Sequence, residues 1–343
     1  MDIICSVGPK FNSSKDIKDY YDAGMTMTRF NFSHADYEKY GNLMKEIKIN
    51  YPNVSIIQDL QGNKLRVSEH FNKEIKIFKN EKIIFMLEKD YTKLMLKKTN
   101  LQYRIIPVAY EGSIKDLTNV KYIFMKDATM RFKVLDINKE YILTITECGG
   151  IIRARKGINA PGIKRDGLSL TKKDKKDIKF GLKQGVDIIC LSYVTSSNNI
   201  IELRRYLDSL NINTDNLKIW AKIECNEGYL NFNDILKVSD GIVLGRGDLK
   251  GEVPIDKIPI IEDKLINIMK KNNKPFVIAT YILDSMAKSL VPSISEVNDI
   301  YKYSLNKVNG LMLSTELTRA KNPVYLLRYL NNLLKKMKDI LEK

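Results

Sequence analysis

With 343 residues, 44% hydrophobic and 29% charged, the chain carries enough apolar material for one large domain or two smaller ones. No stretch approaches the ~18 apolar residues that span a bilayer, so no membrane role is expected and the cytoplasm is the expected location. The net charge of +16 is spread along the chain beside abundant Asn and Ile, and its densest clusters, residues 172–179 and 335–343, have helical spacing; they read as solvated faces, and no nucleic acid is expected as a partner.

In chain order, residues 3–7 open the pattern and read as a core strand, not as the apolar centre of a signal peptide. Further apolar runs follow at residues 25–32, 54–59, 186–192, Lys218–Ile223, 241–244, 275–280 and 310–314. They are apolar almost throughout, as parallel strands covered on both faces should be. Helix starts lie between them: Ser13-Ser14, Thr171 with Asp174, Ser196-Ser197 and Pro292-Ser293. Eight strands alternating with helices predict an α/β fold, a (β/α)8 TIM barrel. The rhythm breaks between the third and fourth runs, where short alternating segments appear at residues 74–78, Lys82–Leu87, 121–125, 130–135 and 141–147. These predict a small antiparallel β domain inserted after strand 3. The expected division is a barrel of residues 1–66 and 157–343, with residues 67–156 as a β-barrel-like lid. Removing roughly 90 residues leaves roughly 250, the usual size of such a barrel.

The four cysteines, Cys5, Cys148, Cys190 and Cys225, form no CxxC pair and are expected to be buried, inert thiols.

Polar residues gather where the strands end, the side of this fold on which active sites are built. Arg29, Asn31 and Ser33 fall at i, i+2 and i+4, on one side if that segment is extended. Asp59 ends the third run and Ser192 the fourth, Lys222 and Glu224 close the fifth, Gly247-Asp248 follow the sixth, and Thr280 and Ser314 end the last two. Glu224 and Asp248 supply two hard oxygen ligands suited to Mg2+ or Mn2+, and the absence of a nearby His disfavours zinc. Lys222, two residues before Glu224, projects to the same side. An ammonium there can neutralise a transferring phosphoryl group or stabilise an enolate. Arg29 and Arg66 offer planar guanidiniums for phosphate, and the backbone around Gly245-Arg246-Gly247-Asp248 could receive a carboxylate or phosphate. His34 adjoins the presumed rim, whereas His70 reads as ordinary surface.

These segments resemble the pyruvate kinase family. Ile4-Cys5-Ser6-Val7-Gly8-Pro9 is similar to its first strand and turn, and Arg29-Phe30-Asn31-Phe32-Ser33-His34 to a specific signature. Asp59-Leu60-Gln61-Gly62-Asn63-Lys64-Leu65-Arg66 resembles the strand-three motif, with Asn63 where proline is usual. Lys156-Gly157-Ile158-Asn159-Ala160-Pro161-Gly162 resembles the return from the inserted domain, and Lys222-Ile223-Glu224, Gly245-Arg246-Gly247-Asp248 and the segment from Ala279 to Met286 continue the match.

The resemblance implies a phosphotransferase working on phosphoenolpyruvate and ADP/ATP. Glu224 and Asp248 would hold the divalent metal, Mg2+ or Mn2+. Lys222 would stabilise the transferring group and the enolate, Thr280 would stand near the enolate protonation site, and Arg29 would contact phosphate. Ser192, Gly247 and Asp248 would join Lys222 and Thr280 in the substrate pocket. Asn31, His34, Arg66 and Lys156 would face the nucleotide, while Asn31, Ser33, Asp59 and the Leu60 carbonyl would form a monovalent-cation site. Lys64 stands where potassium-dependent relatives carry glutamate, so K+ is not expected to be required.

Other departures bear on partner and regulation. Family members usually continue into a C-terminal α/β domain with effector sites, and this chain is expected to lack it, ending in a last barrel helix. Val291-Pro292-Ser293-Ile294-Ser295-Glu296 has apolar residues where subunit-contact arginines are usual, so a monomer or dimer is expected rather than a tetramer. Lys126-Asp127-Ala128, Tyr281 and Thr315-Glu316-Leu317 also depart from the family pattern. They keep open a second reading, a biosynthetic paralogue with another phosphoryl acceptor. A third is a metal-dependent pyruvate aldolase or lyase.

Overall fold

In the computed structural model, which describes residues 1–96, 102–165 and 170–342, eight parallel strands close into a barrel. In chain order they are Asp2–Ser6, Met27–Asn31, Ser55–Asp59, Ile188–Leu191, Lys218–Ile223, Gly241–Gly245, Phe276–Ala279 and Gly310–Leu313. Each pairs with its neighbours in chain order, and the first closes on the last through Ile3 against Leu311 and Cys5 against Leu313. The barrel interior is filled by Ile4, Ile57, Cys190, Trp220, Val243, Val277 and Met312. A larger apolar layer lies between the strands and the surrounding helices. Burial on both faces explains why these strands read as continuous apolar runs.

The helices begin where local hydrogen bonding dictates. Ser13, Thr171 and Ser293 each cap a helix and form a capping box with Asp16, Asp174 and Glu296. Among the described residues no helix is long and apolar enough to cross a membrane.

Between the third barrel strand and the helix Lys172–Lys183 a second closed barrel is built from seven strands. Its core is Leu65, Val67, Phe85, Ile106, Ile123, Met125, Phe132, Ile142 and Ile158. It is not antiparallel throughout, as the alternation suggested. Lys82–Leu87 runs parallel to Arg104–Ala109, with the helix Glu88–Leu96 between them in the chain. The small barrel includes Leu65–Val67 and Gly157–Asn159, which pair with each other at the two crossings between the barrels.

Cys5, Cys190 and Cys225 are buried, and burial raises all three thiols well above their usual range. Cys148 is exposed instead. It ends the strand Tyr141–Cys148 in phase with buried Ile142, Thr144 and Thr146, but a register shift between Thr146 and Cys148 breaks the alternation there.

Candidate active site

The C-terminal ends of the main barrel strands and one side of the small barrel enclose a cavity of about 350 Å3. From the main barrel it is lined by Arg29, Asp59, Ser192, Lys222, Glu224 and Asp248, and from the small barrel by Asp127, Arg153, Arg155 and Lys156.

At the floor lies a chain of opposite charges. Arg29 donates to Asp59 from Nε at 2.6 Å, and its Nη1 reaches Ser6 at 2.9 Å and Ser314 at 3.2 Å. Ser192 donates to the other Asp59 oxygen at 3.0 Å. Lys222 Nζ stands 3.1 Å from Asp59 and 3.1 Å from Glu224. Burial alone would raise Asp59, yet the charges of Lys222 and Arg29 hold it below its ordinary value. Burial likewise opposes the charge on Lys222, but Asp59 and Glu224 outweigh it and raise its pKa. The ammonium is therefore permanently charged.

Glu224 follows the fifth strand and also accepts the Tyr193 backbone N–H at 3.2 Å. Asp248 sits in the short helix Arg246–Leu249 that follows the sixth strand, and the Lys64 ammonium contacts its carboxylate directly. Burial pushes the Glu224 carboxyl up, with Lys222 opposing and Asp248 adding to the rise. Burial also acts against ionised Asp248, but Lys64, with Lys222 and Arg66, holds it well below the usual range. Buried Glu224 and half-buried Asp248, driven apart in this way, form a pair whose repulsion a divalent cation would relieve, and hard oxygens suit Mg2+ or Mn2+. Among the described residues no cluster of three or more His, Cys, Asp or Glu offers a metal site, so substrate and water would complete the coordination.

The remaining sequence-singled residues are distributed as follows. Asn31, Ser33 and His34 line the cavity, but Ser33 lies in a 3-10 turn rather than on an extended strand. The Asn31 side chain accepts the Ser33 N–H at 3.1 Å and turns the chain there. Arg66 donates to Ser33 at 2.8 Å and to the Arg155 carbonyl at 3.0 Å. Partial burial, with the charges of Arg66, Arg155 and Lys64, lowers His34 to about 4, so it is neutral at pH 7. Lys156 lines the cavity while donating to the Ile151 carbonyl at 2.7 Å. Leu60 is buried, its N–H bonded to the Cys190 carbonyl at 2.9 Å. Gly62 takes a positive φ of 61°, and a Cβ there would lie 2.2 Å from the Ser192 carbonyl oxygen. Only glycine lets the strand-three turn approach so closely. Thr280 does not line the cavity; its hydroxyl donates to the Ala279 carbonyl at 2.6 Å. It flanks Gly247, where a Cβ would stand 3.4 Å from the Thr280 side chain.

Three participants were given no side-chain role by the sequence reading. Arg246 is buried and donates from Nε to the Thr280 carbonyl at 3.2 Å and from Nη2 to the Tyr281 carbonyl at 3.2 Å. Glu262 and Tyr303 hold its far side. It thereby fixes a segment in which Thr280, Tyr281 and Leu283 have φ of 69°, 57° and 53°, values that cost energy for such residues. Its place inside the Gly-Arg-Gly-Asp motif was the available signal. Asp127 enters from the small barrel on a turn where Lys126, Asp127 and Ala128 all have positive φ. Tyr193 directly follows the apolar run 186–192, with no signal to set it apart.

The family model for the pyruvate kinase barrel domain matches residues 1–326. The chain is 30% identical to the pyruvate kinase of Bacillus licheniformis over 99% of this chain and 57% of that protein. The figures are 30%, 99% and 57% for the pyruvate kinase of Geobacillus stearothermophilus, and 32%, 94% and 64% for that of Kluyveromyces lactis. The chain thus spans little more than half the length of the first of these relatives.

Proposed function

The chain belongs to the pyruvate kinase family, and from that premise we propose that it transfers the phosphoryl group of phosphoenolpyruvate to ADP, giving pyruvate and ATP. One observation carries the reading: a buried lysine held by Asp59 and Glu224, 3.1 Å from each, beside a half-buried carboxylate, Asp248. A fixed positive charge costs no reorganisation when negative charge develops next to it.

In this reading Lys222 faces the phosphoryl group in flight. The bond between phosphorus and the enol oxygen breaks, a terminal phosphate oxygen of ADP takes the phosphorus, and the enolate gains a proton at its methylene carbon. Arg29 keeps Asp59 and Ser314 in register and presents the rest of its guanidinium to phosphate. Thr280, braced by Arg246, stands on the side from which the proton arrives. Ser192, Gly247 and Asp248 complete the substrate pocket. Glu224 and Asp248 would hold Mg2+ or Mn2+, which when bound neutralises phosphate and carboxylate charge. Residues 67–156 act as a lid on the barrel of residues 1–66 and 157–343, bringing Arg155 and Lys156 over the nucleotide phosphates beside Arg66, Asn31 and neutral His34. The cytoplasm, where both substrates are met, is the setting this implies.

Asn31, Ser33, Asp59 and Leu60 need no monovalent cation in this reading. Asp59 already has Arg29 and Lys222 as counter-charges, and Lys64 adds an ammonium on Asp248. Adding potassium to a sodium-free assay should change the rate by less than about twofold. The decisive experiment mixes the protein with phosphoenolpyruvate, ADP and Mg2+ and follows pyruvate. Turnover no greater than that of Lys222→Ala would sink the proposal.

A second reading keeps the phosphoenolpyruvate chemistry and changes the acceptor. The Tyr281 hydroxyl is buried without a hydrogen-bond partner among the described residues, with Lys250 5.7 Å from its ring centre. An unpaired buried hydroxyl within the field of the cavity residues Asp127 and Asp248 is a group that an acceptor other than ADP could engage. Phosphoenolpyruvate binding with Mg2+ but no turnover on ADP would favour this reading.

A further inference from the structure

Tyr193 links the small barrel to Glu224 of the carboxylate pair. It follows the fourth barrel strand by two positions, is 3% exposed and has φ of 55°. A bulky aromatic residue in left-handed backbone is an outlier that the surrounding structure must enforce. Three attachments enforce it. Its backbone N–H donates to Glu224 at 3.2 Å. Its hydroxyl accepts from Asn159 Nδ2 at 2.6 Å. Its ring carries two cations, the Lys64 ammonium 5.5 Å and the Arg165 guanidinium 5.0 Å from the centroid.

Each attachment leads to a different part of the site. Asn159 ends the strand Gly157–Asn159, by which the chain leaves the small barrel. The same amide reaches the Asp248 carbonyl at 3.3 Å and Glu252 at 3.2 Å. Arg165, just beyond that strand, is buried against Glu252 at 3.3 Å. Lys64 adjoins the other crossing strand, Leu65–Val67, and its ammonium rests on Asp248. Gly157 leaves the Lys64 stem room: a Cβ there would lie 2.7 Å from Lys64 Cε.

We propose that Tyr193 is a positioning residue joining the lid to the metal pair, its hydroxyl anchoring the return strand through Asn159 and its ring holding Lys64 on Asp248. The proposal rests on the reading of Glu224 and Asp248 as metal ligands. Two consequences separate the hydroxyl from the ring. Without the hydroxyl, the two crossing strands lose a buried anchor and open more readily. Without the ring, Lys64 leaves Asp248 more easily, and the carboxylate oxygen it covers becomes available to a divalent cation.

The test uses the full chain with Tyr193→Phe, Tyr193→Leu, Lys64→Met and the Tyr193→Leu/Lys64→Met double variant. Amide hydrogen exchange in Leu65–Val67 and Gly157–Asn159 should quicken about tenfold in Tyr193→Phe while the strand Phe276–Ala279 keeps its protection. Unchanged exchange at the crossing strands overturns the anchoring role. Mn2+ binding, followed by electron paramagnetic resonance of the free ion, should tighten about fivefold in Tyr193→Leu and in Lys64→Met, with no further gain in the double variant. Weaker or unchanged Mn2+ binding in Tyr193→Leu overturns the role of the ring. A destabilised site cannot imitate a gain in affinity. A wild-type chain that takes up no Mn2+ overturns the function proposed above and the ring's role with it, and hydrogen exchange then decides the anchor.

Discussion

The two walls of the cavity are charged in opposite styles. On the main barrel, Arg29, Asp59, Lys222 and Glu224 are buried and pair with one another in an unbroken chain. On the small barrel, the Arg155 side chain is 56% exposed and pairs, among the described residues, with the equally open Glu69, and Lys156 is tied to a backbone carbonyl. The first arrangement costs desolvation and is stable only because every charge has a partner. The second leaves cations available to an incoming anion at little cost to the fold. The barrel wall is built to hold a charge distribution fixed, and the lid wall to supply attraction.

Substitutions should expose this difference, the largest effects lying on the barrel wall. Lys222→Met should lower turnover about a thousandfold, since a preorganised charge at the reacting group is removed; pyruvate release measures it. Asp59→Asn should destabilise the protein by about 3–5 kcal/mol in urea unfolding, because Arg29 is left buried without its counter-charge and Lys222 keeps only Glu224. Its pH dependence has a definite sign. Asp59 is depressed in the folded state, Lys222 and Arg29 outweighing burial. Its contribution is therefore present above about pH 4 and lost as pH falls below that, through the folded value. The variant should lack that part of the acid slope.

Arg246→Met tests the brace behind the wall. Freed of its three hydrogen bonds to Arg246, the left-handed segment from Thr280 to Leu283 should relax. The turnover number should then fall about tenfold to a hundredfold, with a smaller change in the KM for phosphoenolpyruvate. On the lid wall, Arg155→Ala should raise the nucleotide KM only about threefold to tenfold and leave stability within ~0.5 kcal/mol. Equal losses of stability from Arg155→Ala and Asp59→Asn would erase the distinction between the walls. The smallest effect is chemical: a thiol reagent should modify exposed Cys148 in the native protein while Cys5, Cys190 and Cys225 stay protected until unfolding.

Much of the scaffold was legible because its signals are local. Strands covered on both faces read as apolar runs, and Ser13, Thr171 and Ser293 announce their helices through side-chain bonds to the next turn. The Lys-x-Glu step puts Lys222 and Glu224 on one side by strand geometry alone, and the two prove to be 3.1 Å apart. The parallel pair in the small barrel was not legible, since alternation reports which face a residue takes and not the direction of its neighbour. Ser33 was misread as extended for a related reason: the Asn31 side chain turns the backbone there.

By itself the sequence determined the eight-strand plan, the polar strand ends and the residues with reactive groups. Periodicity and short motifs act over a few residues. Only the tertiary structure decided which of those groups meet. Asp59 joins Arg29 across 30 positions and Lys222 across 163, and Lys64 joins Asp248 across 184. Tyr193, unremarked in the sequence, and Asn159, present there only inside a longer motif, became a contact between the two barrels. Barrel closure fixes such meetings by setting strand register and the crossing points between the barrels. No local pattern encodes that, because it depends on the packing of the whole chain at once.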